Sequence, residues 1–127
     1  DLPVALDHCV IHVAAWGVAK DFYTRVMGAK AVPVKDGYVF RWGDKQLNCH
    51  GPNKFAEPKA QIPVAPGNSD LCFCWQGPIS GAVANLGAQG IEIELGPVER
   101  FGGQGPGTSI YFRDPDGSLM EFISYDS

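Results

Sequence analysis

The sequence passes through the pattern β, α, β, β, β and then passes through it again, and this repetition constrains the fold more than any other feature of the chain. Leu6 to Val13 is short, β-branched and followed by Ala-Ala-Trp-Gly, which predicts a strand with His8, Val10 and His12 on one face. Val18, Phe22 and Val26 recur every fourth residue, and Gly28 stands where a left-handed helix cap belongs. Three short strands follow, Ala31 to Val34, Tyr38 to Trp42 and Gln46 to His50, separated by turn signals at Asp36-Gly37 and Gly43-Asp44. Residues 51–68 contain four prolines and no periodicity, which predicts a linker.

After the linker the order restarts. Asp70 to Trp75 reads as a strand, Ile79, Val83 and Leu86 mark a helical face closed by Gly87, and Ile91 to Leu95, Thr108 to Phe112 and Leu119 to Tyr125 read as strands. The helix ends also match locally, Met27-Gly28-Ala29 against Leu86-Gly87-Ala88. The prediction is a single α+β domain of two tandem βαβββ modules, the first about 5–50 and the second about 69–126. Residues 96–107 hold five glycines and two prolines, and are expected to form a mobile loop that closes as a lid over the site.

Composition excludes several classes. The 127 residues are 45% hydrophobic and 19% charged, values of a folded domain rather than a disordered chain. The net charge of −4, with no basic run, lacks the footprint that neutralises phosphates, so nucleic acid is not an expected partner. No apolar run approaches the ~20 residues of a membrane span, and Asp1-Leu2-Pro3 lacks the features of a signal peptide. Cys9, Cys49, Cys72 and Cys74 form neither a zinc-type pattern nor a disulfide scaffold, and a reducing, cytoplasmic compartment is expected.

Strand alternation puts His8 with His12, Asn48 with His50, and Asp70 with Cys72 and Cys74 on shared faces. His8, Asp70 and Glu121 lie on strands that correspond between the halves. Imidazole and carboxylate donors of this kind suit Zn, Ni, Co, Mn or Fe(II). Glu121, in an otherwise apolar strand, needs a cation or donors if it is buried. His12 is expected to be a core residue and Cys72 and Cys74 to serve packing, while Asp114-Pro115-Asp116-Gly117 is a turn that delivers Glu121 in register. Arg100, Tyr111 and Arg113 flank the glycine-rich stretch and are candidates for binding an anionic substrate.

Leu6-Asp7-His8, Asp21-Phe22-Tyr23, Met27-Gly28, Gly96-Pro97-Val98-Glu99-Arg100 and Arg113 through Glu121 resemble the vicinal oxygen chelate superfamily, which includes glyoxalase I, extradiol dioxygenases and bleomycin-resistance proteins. Leu47-Asn48-x-His50, Pro66-Gly67-x-x-Asp70-Leu71-Cys72-Phe73 and Ser109 through Gly117 are similar to its small glyoxalase-domain proteins. The resemblance implies a cupped, mostly antiparallel sheet around a divalent metal, with ligands from the first and last strands of each module. Carried over, the ligand set is His8, His50, Asp70 and Glu121, with Glu121 and His50 also the catalytic candidates. Asp70 stands where the family usually has His, and Asn48 where glyoxalase I has Glu. A glyoxalase-like lyase or isomerase acting on a small oxygen-chelating substrate is implied, as is a homodimer. The alternatives are an Fe(II) extradiol dioxygenase using His8, His50 and Glu121, and a metal-free protein that sequesters a ligand.

Overall fold

The repeat emerges as two compact units, residues 1–66 and 67–127. The protein is seen here as a computed structural model that describes residues 2–52 and 56–126. Each unit holds one helical segment and a four-stranded mixed sheet, an α+β arrangement of two similar modules.

In the first unit, β1 (His8–His12) is followed by α1 (Trp16–Asp21), which runs on through a π-helical turn (Phe22–Val26), and then by β2 (Lys30–Val34), β3 (Gly37–Trp42) and β4 (Lys45–His50). The sheet order is β1-β4-β3-β2, with β1 parallel to β4 and the other pairs antiparallel. Ala19, Phe22, Tyr23 and Val26, spaced i, i+3, i+4, i+7, form the buried helical face. The expectation for Val18 is corrected, because that side chain is 56% exposed. Tyr23 stacks on Phe40 with ring centroids 4.9 Å apart, and both are fully buried. Gly28, at φ +71°, ends the helix as predicted.

The second unit repeats the plan with β5 (Asp70–Cys74), α2 (Ile79–Ala88), β6 (Leu95–Gly102), β7 (Gly105–Arg113) and β8 (Leu119–Ser124), in the order β5-β8-β7-β6. Ala82 and Leu86 are the buried positions of α2, and the Phe112 and Phe122 rings lie 5.1 Å apart in the core. Here the helix does not close at Gly87. Gly90 takes the left-handed position at φ +72°, with Gly90 N–H donating to Gly87 O and Ile91 N–H to Leu86 O, the paired bonds of a Schellman cap. Gly28 therefore corresponds to Gly90, and the resemblance between Met-Gly-Ala and Leu-Gly-Ala is out of register with the fold.

The predicted strand at 91–95 and the loop at 96–107 are both corrected. Pairing begins at Glu94, whose N–H donates to Tyr111 O at 2.8 Å, and β6 continues through the supposed loop. Val98 pairs with Ser109, Arg100 with Gly107 and Gly102 with Gly105, so the glycine-rich stretch is a hairpin that turns at residues 103–104. Ladder hydrogen bonds along both strands hold it, and the lid loses its mobile loop. The Asp114 turn behaves as expected. Its Oδ1 accepts from Asp116 N–H and Ser118 N–H, both at 2.9 Å, and Gly117 sits at φ +95°.

Candidate metal and substrate site

Each sheet buries one face under its helix and leaves the other open. On the open face of the first unit, His8, Val10 and His12 pair with Gln46, Asn48 and His50. On that of the second, Asp70, Cys72 and Cys74 pair with Leu119, Glu121 and Ile123. Matching backbone bonds close both ladders, Val13 N–H to His50 O and Trp75 N–H to Ile123 O. Position by position, His8 corresponds to Asp70, Asn48 to Glu121 and His50 to Ile123.

His8 stands at the start of β1 with its Nδ1 at 2.8 Å from Asp7 Oδ2. An ionised carboxylate only accepts, so Nδ1 carries the proton of this hydrogen bond. The hydrogen bond to His8 and its charge hold the Asp7 carboxyl below its usual range. Asn48 Oδ1 accepts from Gln46 Nε2 at 2.6 Å, and Gln46 Oε1 in turn accepts from Arg41 at 2.6 Å. His50 lies four residues beyond the Gln46 that faces His8, about 13 Å along the strand, so these two imidazoles do not meet within the unit.

Glu121 is half-buried at the middle of a row that runs Cys72, Glu121, Tyr111 across three strands. Partial burial of the sulfur, followed by the charge and hydrogen bond of Glu121, pushes the Cys72 thiol up to about 12. The thiol therefore stays protonated and donates to the carboxylate. Contrary to the packing expectation, Cys72 and Cys74 are exposed on the open face. Asp70 is exposed one pleat from Cys72. Arg100 Nε donates to Tyr111 Oη at 3.0 Å, with its guanidinium 5.5 Å from the ring centre, so this pair shares the face of Glu121. Arg113 is engaged otherwise: it makes a two-pronged ion pair with Glu94 at 3.0 and 2.9 Å and donates to Gly117 O. That pairing lowers the Glu94 pKa and raises that of Arg113.

His12 departs from its expected place in the core. It is half-buried, on the face opposite Ile11 and Val13, with its ring 6.4 Å from that of His50 and nearly perpendicular to it. With Val10 these rings floor a cavity of about 430 Å³, covered by residues 56–60 with Pro63 and Val64. The proline-rich stretch thus encloses space above the sheet, which nothing in its composition signals. Alternation did place His12 and His50 on the open side; apolar neighbours in sequence obscured it.

Among the described residues, no three His, Cys, Asp or Glu side chains converge as a ready cation cage. The donor chemistry nevertheless fits a divalent ion. A carboxylate that fixes the far nitrogen of a histidine is the usual support of a metal-binding imidazole, and the Glu121 carboxylate is oriented by a neutral donor.

No protein-family profile matches the chain. A glyoxalase domain-containing protein of Mycosarcoma maydis is 42% identical over 122 residues, which cover 95% of this chain and 68% of that protein. The chain belongs to the glyoxalase-domain proteins of the vicinal oxygen chelate superfamily. A second relative, a virulence protein of Salmonella typhimurium, is 40% identical over 94% of this chain and 83% of its own length. A solved integron cassette protein of Vibrio cholerae superposes with a TM-score of 0.90 at 41% identity, over 99% of this chain and 98% of that one. The lactoylglutathione lyase of Agrobacterium tumefaciens shares the glyoxalase fold at a TM-score of 0.74 and 24% identity, over 98% of this chain and 96% of that one. Among the described residues no helix is long and apolar enough to cross a membrane.

Proposed function

We propose that this glyoxalase-domain protein is a metal-dependent lyase or isomerase acting on a small substrate that presents two neighbouring oxygens. The observation that carries the reading is the correspondence of the two ladders, which gives His8 and Asp70, and Asn48 and Glu121, equivalent positions on the open faces. His8, Asp70 and Glu121 supply the ligands in this reading, with Asn48 as a neutral fourth position. A divalent ion of the Zn, Ni, Co, Mn or Fe(II) class, when bound, supplies Lewis acidity towards a substrate oxygen.

The chain's own groups do the rest. Asp7 keeps the His8 proton on Nδ1, Cys72 keeps a donor on Glu121, and the Arg100–Tyr111 pair offers a cation and a hydroxyl to an anionic oxygen. Arg113, already bound to Glu94, serves by bracing that edge of the sheet. His50 remains on the open face as a general-base candidate. The dioxygenase alternative asks His8 and His50 for one ion, and their separation along the strand within the unit weakens it. A homodimer in a reducing cytoplasm, where the four thiols stay free, completes the proposal.

The test is calorimetric titration of chelator-treated protein with Zn(II), Co(II) and Mn(II). Glu121→Gln should weaken binding beyond the ~10–100-fold of a supporting residue. Unchanged affinity, or a wild-type protein indifferent to all three ions, would leave a metal-free, ligand-sequestering protein as the reading. Sedimentation as a monomer at micromolar concentration would remove the dimer.

A further inference from the structure

We infer that the cavity over the first sheet is a binding site for a small molecule with a flat apolar body and one hydroxyl or N–H donor, independent of the metal ligands proposed above. Its floor is Val10, His12 and His50, and its cover includes Pro58, Pro63 and Val64. All six belong to the first unit. A volume of about 430 Å³ falls within the ~300–1,000 Å³ of ordinary ligand pockets and exceeds what one or two waters fill. The wall is mostly proline, valine and alanine, so a ligand gains by burying apolar surface there.

The polar requirement comes from His12. Its Nδ1 lies 3.2 Å from the carbonyl oxygen of Val13, and a carbonyl only accepts, so Nδ1 carries the proton. In the neutral ring Nε2 is then an acceptor, and it is the nitrogen left to meet the cavity. A bound molecule must bring the hydrogen. The neighbouring His50 ring, edge to face with His12, favours a flat ligand by presenting a second ring surface. Glu57 and Lys59, paired at 3.8 Å in the cover, offset each other's charge and select neither an anion nor a cation.

The test uses 2-naphthol, which has a flat body and one donor, against 2-methoxynaphthalene, which has the same body and no donor. Binding is followed by amide chemical shifts in chelator-treated protein. The expected result is saturable binding of 2-naphthol that moves the amides of residues 10–12, 50 and 58–64, with 2-methoxynaphthalene at least tenfold weaker. His12→Phe keeps a ring and removes the acceptor, so it should lower 2-naphthol affinity about tenfold and leave 2-methoxynaphthalene unchanged. Val10→Trp, a change on the open face that fills the cavity without touching the core, should abolish binding of both. Glu121→Gln lies in the other unit and should leave both affinities as they are, which keeps failure of the metal reading separate from failure of this one. Equal affinity for the two probes, wild-type binding by Val10→Trp, shifts that map elsewhere, or no binding at the solubility limit would each overturn the inference.

Discussion

The two sheets agree on their helix-covered faces and disagree on their open ones. Ile11, Leu47 and Cys49 in the first unit correspond to Phe73, Met120 and Phe122 in the second, and all are apolar. On the open side, histidine at 8 and 12 corresponds to aspartate at 70 and cysteine at 74, and asparagine at 48 to glutamate at 121. Burial against a helix admits only a narrow range of side chains, whereas an open face is free to diversify. The covered faces carry the fold, and the open faces are where the two units differ in polar side chains. One face is rich in imidazoles and amides, and the other in carboxylates and thiols.

The largest effect expected from breaking this comparison is in the cores. Phe40→Ala and Phe112→Ala each remove a fully buried ring and should each cost about 3–5 kcal/mol in urea unfolding. A loss below 1 kcal/mol at either would show that the two covered faces are not equally packed. Next come the helix ends. Gly28→Ala and Gly90→Ala force a Cβ into left-handed backbone and should each cost about 1–2 kcal/mol. Gly87→Ala lies inside α2 with open space around it and should stabilise by about 0.5–1 kcal/mol. The reverse order would restore Gly87 as the partner of Gly28.

Smaller effects probe the open face of the second unit. With its thiol pushed up to about 12, Cys72 should react with iodoacetamide at pH 8 far more slowly in the native protein than in the unfolded chain. Glu121→Gln should speed that reaction by removing the negative charge, and an unchanged rate would separate Cys72 from Glu121. The smallest effect concerns Glu94, whose pKa Arg113 depresses in the folded state. Its contribution to stability is present above the usual carboxylate value and is lost as pH falls through the folded one. Both groups are exposed, so Glu94→Gln should flatten the acid limb of stability only slightly, and 1 M salt should erase the difference.

Much of the fold was legible because strands and turns announce themselves locally. Alternation at residues 8–12 and 46–50, the cap at Gly28 and the Asp114 turn each follow from a few neighbouring residues. The hairpin from 95 to 113 was not legible, because its glycines mimic a loop. At Gly107 the cause is close packing: a Cβ there would lie 2.9 Å from both the Ile123 side chain and the Ser124 carbonyl. Glycine required by a long-range contact cannot be told from glycine that loosens a chain by reading residues 96–107 alone. His12 was hidden for a related reason, since the cover over its face comes from residues 56–64, distant in sequence and irregular in form. The open-face positions of His8, Asp70 and Glu121 could be read from strand alternation. The support that Asp7 and Cys72 give them required the structure.

The proposed function requires His8 and Glu121 to be ligands of the same ion. The decisive measurement is the metal content of purified, metal-loaded protein after extensive dialysis, in wild type, His8→Ala and Glu121→Gln side by side. One ion per chain is expected in wild type, with the whole of it lost in either variant. One ion retained by His8→Ala, or two ions in wild type of which each variant loses one, would contradict it.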